Sequence, residues 1–584
     1  MSYLISIEQP EHHLAQVEMR IPAGMKSVVV KMPAWRTGNY KILNQANGVR
    51  DFIAKGKNGR ELVWKRIDKS SWQIENPSER ELTVSYLLYA NELSSRTRHI
   101  DYSHAYLDAT AVFMYVPELM EQVHRVELNV PVGWKSFSGM VQAQPHEFLA
   151  QDYHQLADSP IETGVNDVYE FSEDERDYQV VIWGKPAKKS QTIVEDLQKM
   201  VSASQTIWKG YPYQKYVFII HATAEATGAT EHINSTVIQR PSELFAKRKD
   251  YLDRFLRTAA HELVHTWNVK AYRPKGLVPY EYQHENYSDL LWLAEGTTSY
   301  LQDHILLNSD LQTMDEFLDK LAERIDEFQQ KPGRNIQSIS AASMEKWIAQ
   351  GGDFANNFSV NIYTEGFMAS WLLDFEMLED SNMSAGIKEL HDSLYQKQND
   401  KRDGRQFVVT DFDTAEVVAT IEKLTNKLYK NWWRENIESP KDIDFNNLLN
   451  KVGLEFAPVK NSDNKVWMGF ESKEQGSLIQ LTSVEREGPA WEAGLTSGDI
   501  LLAIDKRQVD SKSLEKWLIQ YNEGDEVELT LFRDRQLIKR HLKLTKRLSK
   551  KRKIRFLESP SETQKAFFKA WLGMEFPVNR AEAN

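Results

Sequence analysis

Residues 261–265 run His-Glu-Leu-Val-His, and Trp292-Leu-Ala-Glu-Gly follows about thirty residues later. The first pattern constrains the fold most, because it makes a site only if it is helical. Positions i and i+4 share one helix face. His261 and His265 can therefore aim imidazole nitrogens at one metal ion, with Glu262 beside an open coordination position. The competing possibility is a buried amphipathic helix that happens to carry two histidines.

Two histidines leave a zinc ion short of a third protein ligand. The 584 residues contain no cysteine, so that ligand has to be another His or a carboxylate. The stretch Asp289-Leu-Leu-Trp-Leu-Ala-Glu-Gly-Thr-Thr-Ser-Tyr is the best source. Its apolar residues suit a buried helix, where Glu295 would be costly unless ionically paired or metal-bound. Otherwise Glu295 is a partly exposed helix carboxylate. His284 and His304 flank this helix and are expected at the surface or just outside a ligand shell. Asp289 either orients a ligand imidazole through its second nitrogen or caps the helix.

Length predicts about three or four domains. Hydrophobic content of 41% and charged content of 27% are ordinary for globular proteins. A net charge of −12 argues against nucleic-acid binding as the main role. The N-terminus lacks the basic and apolar regions of a signal peptide, and no uncharged apolar run is long enough to span a bilayer. A soluble, cytoplasmic protein is expected, although the absence of cysteine suits the periplasm equally.

Residues 1–185 read as a β-sandwich-like domain of short strands rich in β-branched and aromatic residues, with nothing that looks catalytic. Residues 186–455 hold the metal pattern. A helix over Val194–Trp208, a strand at Tyr216–His221 and a zinc helix starting near Pro241–Ser242 are expected, and mainly helical sequence follows residue 310. Residues 456–548 return to short strands. Residues 549–584 are a linker and the amphipathic helix Glu562–Leu572. The basic run Lys546–Arg555 is either a solvated linker or a segment docked on acidic surface.

HELVH with Ala-Glu-Gly resembles the gluzincin metallopeptidases, and further stretches resemble their glycyl aminopeptidase family. These are HELVHTWNVK (261–270), Arg273-Pro274, LWLAEGTTSY (291–300), GATEHINSTV (228–237), PAWRTGNY (33–40) and DSPIETG (158–164). Twenty-nine residues lie between His265 and Glu295, a longer spacing than in aminopeptidase N and one that this resemblance leads us to expect. It implies a multidomain α+β fold with a thermolysin-like catalytic domain, a helical subdomain, one zinc ion per chain and peptide substrates. The Val466-Trp-Met-Gly-Phe and Gly488-Pro-Ala segments resemble a C-terminal PDZ-like β-barrel.

The resemblance also implies residue roles. Glu231 stands where aminopeptidase N relatives hold the substrate's α-amine, although Thr230-Glu231-His232 departs from their Met-Glu-Asn. A cationic N-terminus near zinc calls for such an anion; alternatively Glu231 only ends an edge strand. Tyr363 matches their oxyanion-stabilising tyrosine, with Glu365 where they have Lys; alternatively it caps the apolar helix that follows. Glu262 would be the general base. Trp467, Met468, Gly469 and Phe470 would form a loop receiving a peptide C-terminus, or the module packs within the chain. A small-residue aminopeptidase is thus expected, against a zinc endopeptidase or a silent PDZ scaffold.

Overall fold

The computed structural model describes residues 1–399, 409–458, 466–476, 478–546 and 552–577. The chain divides into two units. The first comprises Met1–Ser288, Leu301–Gln312 and His391–Asp413, and the second Asp289–Tyr300, Thr313–Leu390 and Thr414–Asn584.

The first unit begins with a seven-stranded sheet in which Ser2–Ser6 pairs in parallel with His124–Asn129 and antiparallel with Leu14–Ile21. Alternation decides its faces: Ala15, Val17, Met19 and Ile21 are buried while their neighbours are not. A four-stranded sheet contains Arg98–Ile100, His104–Leu107 and Ile161–Gly164. The catalytic part is a five-stranded sheet. Its three central strands, Arg176–Gly184, Lys215–Thr223 and Ser235–Pro241, run parallel. The edge strand Gly228–His232 is antiparallel to its neighbour. Asp167–Glu173 also pairs into this sheet, which therefore starts at residue 167 instead of 186.

The zinc helix starts later than the sequence suggests. Pro241 still belongs to a strand, in register with Thr223, and Ser242–Phe245 is a short turn. Helix begins at Arg248–Asp250, widens into a π turn over Tyr251–Leu256, and tightens into Arg257–His265. Such one-turn π segments recur next to functional sites. The expected Val194–Trp208 helix is Ser190–Ser204.

In the second unit, Met314–Gln329 starts on a capping box between Thr313 and Glu316. Glu562–Leu572 starts on another, between Ser561 and Gln564, and buries Phe567, Phe568, Trp571 and Leu572. Trp571 stacks on Trp371 of the helix Thr364–Asp380. The PDZ region has its own core of Met468, Ile479, Leu481, Leu501, Leu529 and Leu542. Its strands follow an open path from Phe470–Gln475 to Gln536–Lys543 and do not close into a barrel among the described residues. Of the basic run, residues 547–551 lie outside the described part. The remainder docks on acidic side chains. Arg552 pairs with Asp326 at 2.6 Å, Lys553 with Asp319 at 2.5 Å and Arg555 with Glu455 at 2.6 Å.

Candidate active site

On Arg257–His265, the Nε2 atoms of His261 and His265 face each other at 3.1 Å. His261 Nδ1 lies 2.9 Å from Gln302 Oε1, and His265 Nδ1 lies 2.9 Å from the Asn268 carbonyl oxygen. Carbonyl oxygens only accept, so both Nδ1 atoms carry the proton and both Nε2 atoms present lone pairs. Two lone pairs this close repel unless a cation sits against both. Nitrogens roughly 2.0–2.1 Å from one tetrahedral ion stand about 3.3 Å apart. The pair therefore fits a zinc ion on its own geometry.

The helix Leu291–Asn308 is fixed to the zinc helix by Gln302 and by Asp303, which pairs with buried Arg257. Glu295 lies two turns before Gln302 on the same face, and it is buried. One donor atom from each of His261, His265 and Glu295 falls within 4.8 Å of the others. Asp289 does not orient a ligand imidazole. Its carboxylate accepts from Thr414 Oγ1 at 3.0 Å, and the two imidazoles are held by Gln302 and Asn268 instead. His304 is buried, not superficial, whereas His284 is exposed.

A second group of donors within 4.8 Å joins Glu231, Glu262 and His265, all buried. Glu231 is carried on the edge strand Gly228–His232, opposite Thr236. The N-terminal domain reaches this side of the site, which its sequence does not suggest. Gly38, at φ +73°, lies so close that a Cβ there would fall 2.3 Å from Glu231 Oε1. Its neighbour Arg36 donates to Thr230 Oγ1 at 2.5 Å and pairs with Asp108 at 3.1 Å. Thr37 Oγ1 donates to Asp158 at 3.0 Å.

Lys270 ties these groups together. Its fully buried ammonium lies 3.0 Å from Asp158 and 3.7 Å from Glu231. Burial alone would push the Asp158 carboxyl up, but Lys270 and His232 outweigh it and hold it well below the usual carboxylate range. Burial likewise opposes the Lys270 charge, and Asp158 first, with Tyr280 and Glu231, raises its pKa nonetheless. His232 gives its Nδ1 to Asp158 at 3.1 Å, so it orients that carboxylate. Glu231 and Asp158 thus share the Lys270 ammonium, and the buried Arg36 guanidinium also interacts with both carboxylates. Lys270 and Asp158 sit inside motifs quoted above, yet nothing in a single sequence pairs residues 112 apart.

Tyr363 is the residue preceding the helix Thr364–Asp380, and its ring lies under Lys346 Nζ at 5.5 Å. Its backbone N–H donates to Asn361 Oδ1 at 2.8 Å. Glu365 accepts from the Asn361 N–H at 2.8 Å and faces Lys331, so it braces this turn. In the PDZ region, Met468 is a core residue, whereas Trp467 and Phe470 line a cavity of about 190 Å³. Lys331 faces the same cavity. No helix among the described residues is long and apolar enough to cross a membrane.

Residues 2–165 match the peptidase M61 N-terminal domain, residues 254–369 the M61 glycyl aminopeptidase domain, and residues 466–544 a PDZ domain. An aminopeptidase N family protein from Idiomarina loihiensis superposes with a TM-score of 0.88 at 24% identity, over 98% of this chain and 99% of that one. An M1 zinc metallopeptidase from Deinococcus radiodurans gives 0.47 at 13% identity, over 76% and 94% of the two chains. Yeast LTA4 hydrolase gives 0.45 at 13% identity, over 76% and 68%. No curated protein matches the chain. With its histidine pair, buried glutamates and this order of domains, the chain belongs to the M61 glycyl aminopeptidases, zinc metallo-aminopeptidases, and carries a C-terminal PDZ domain.

Proposed function

We propose that this aminopeptidase removes small N-terminal residues, glycine and alanine above all, from peptides. His261, His265 and Glu295 hold one ion at the peptidase site. When bound, zinc supplies a Lewis acid that polarises the scissile carbonyl and acidifies water. Glu262 takes a proton from the attacking water and delivers it to the leaving amine. Tyr363 donates a hydrogen bond to the developing oxyanion. Glu231 receives the substrate's ammonium, which limits cleavage to the first peptide bond.

The observation that carries this reading is the grouping of Glu231, Glu262 and His265 within 4.8 Å. A base, an amine anchor and a metal-binding nitrogen at that spacing fit one terminal residue and no longer segment. The backbone of Gly38 against Glu231 narrows the same space and favours a small first side chain. For the PDZ region, a peptide C-terminus entering the Trp467–Phe470 loop is supported by the cavity there and by the position of Phe470–Gln475 at the end of its sheet path.

The test combines metal analysis with hydrolysis of Gly- and Ala-aminoacyl reporters beside their N-blocked forms. Glu262→Gln should keep zinc and lose turnover by about 10²–10⁴-fold. Equal cleavage of blocked substrates would remove the role of Glu231 and favour an endopeptidase. Full activity in Glu262→Gln would remove the proposed base.

A further inference from the structure

The N-terminal domain contains a second set of side chains able to ligate a metal, where the strands Arg98–Ile100 and His104–Leu107 meet at their connecting turn. One donor atom from each of His99, Asp101 and His104 lies within 4.8 Å of the others. We propose that these three residues bind a second divalent ion of the zinc class, independent of the peptidase centre. Two imidazoles and one carboxylate suit such borderline metals.

Asp101 and His104 are held the way metal ligands are held, whereas His99 Nδ1 is buried without a hydrogen-bond partner among the described residues. Asp101 Oδ1 is fixed by the backbone N–H of Ser103 at 2.7 Å, the Ser103 hydroxyl at 2.7 Å and the His104 N–H at 3.0 Å. That leaves Oδ2 facing His99 Nε2 at 3.3 Å, a separation that two donors on one ion adopt. His104 Nδ1 lies 3.0 Å from Glu162 Oε1, whose other oxygen lies 3.0 Å from His221 Nε2. His221 Nδ1 in turn meets the Gln239 amide at 3.1 Å. A carboxylate behind a histidine, itself held by further hydrogen bonds, is the arrangement that orients ligand imidazoles.

The decisive atom is His104 Nε2. With Nδ1 donating to Glu162, Nε2 is the nitrogen left for the cluster, and in the neutral ring it carries a lone pair. It is fully buried and meets no hydrogen-bond partner among the described residues. This nitrogen ends a chain of hydrogen-bonded groups beside a carboxylate and a second imidazole, a donor set that suits a Lewis acid. His99 and Asp101 retain 11% and 21% side-chain exposure, which gives an ion a way in.

The full-length protein, equilibrated with buffered zinc and freed of excess, should contain two equivalents per chain. His261→Ala, which empties the peptidase site, should retain one. His99→Ala with Asp101→Asn should also retain one, and should hydrolyse a Gly reporter within about twofold of wild type. Asp101→Asn alone, which preserves the Oδ1 acceptor but removes the ligand charge, should weaken the second equivalent at least as much as loss of an outer-shell partner does, about 10–100-fold. A single equivalent in the wild type overturns the proposal whatever the variants do. A second equivalent that survives the His99/Asp101 double substitution overturns it as well.

Discussion

Gly296 and Gly366 cross backbone to backbone: a Cβ placed on Gly296 would lie 2.3 Å from Gly366 Cα, and one on Gly366 would lie 2.9 Å from Gly296 Cα. These glycines follow Glu295 and Glu365 directly, so the crossing joins the helix of the proposed third ligand to the helix that begins after Tyr363. Thr297 and Ser370 hydroxyls at 2.8 Å and the Tyr300 to Asp374 bond at 2.6 Å continue the contact below.

Gly296→Ala is therefore expected to force the two helices apart. Overpacking of this kind costs about 1–3 kcal/mol, outweighing the helix propensity that alanine adds. Denaturant unfolding should show that loss, and competition with a chelator should show weaker zinc retention. Unchanged stability together with unchanged zinc affinity would mean the close approach is not required.

Lys270→Met should expose what the buried charges cost. Asp158 and Glu231 would lose their shared cation, and breaking a buried pair this way destabilises by about 3–5 kcal/mol. Asp158 has its folded pKa depressed, so its contribution is present above the ordinary aspartate range and lost as pH falls. Lys270 has its folded pKa raised, so its contribution is present below the ordinary lysine value and lost as pH rises through the folded one. The gap between wild type and variant should thus be flat around neutrality and close towards both extremes. A KM increase for free-amine substrates should accompany it; an unaltered KM would separate Lys270 from the anchoring of Glu231.

The metal pattern was legible in the sequence because its logic is local: an i, i+4 pair on a helix and a glutamate in an apolar stretch. The helix Glu562–Leu572 was legible for the same reason, since its apolar residues recur at helical spacing. The start of the zinc helix was not, because Pro241 fits a helix N-terminus and a strand end alike, and only the register with Thr223 decides. The surroundings of Glu231 were hidden for a different reason. Arg36, Thr37, Gly38, Asp158 and Lys270 come from three distant segments that only the fold brings together.

Asp374 gives a pH dependence of opposite sign. Burial raises its carboxyl to about 6, against the bonds from Tyr300 and the Ile387 N–H that partly restrain it. A folded pKa above the unfolded one means full stability below the unfolded value, about 3.9, and a decline as pH rises through the folded one. Relative to Asp374→Asn, the wild type should lose on the order of 2 kcal/mol between pH ~4 and ~7. Urea unfolding of both proteins at the two ends measures this. A gap that does not move with pH would show that the carboxylate is ionised at no extra cost.

The PDZ region is clamped by a short helix of the peptidase part, Gly352–Phe358. Fully buried Asn357 donates to the Val484 carbonyl at 2.7 Å and accepts from the Arg486 N–H at 2.7 Å, while Asp353 accepts from the Val484 N–H at 2.7 Å. The contact takes the end of the strand Leu478–Val484, and Asn356 and Asn357 line one cavity with Phe470 and Glu471. The same helix leads in five residues from Phe358 to Tyr363. Asn357→Ala leaves two backbone groups without their partner, at about 1–3 kcal/mol for each, and should speed hydrogen exchange across Leu478–Val484. Because the clamp also steadies the approach to Tyr363, the proposed oxyanion donor, kcat should fall about tenfold with KM held, less than the roughly 10²–10³ of removing such a donor outright. Faster exchange with kcat unchanged would show that the PDZ region is tethered there without bearing on the chemistry.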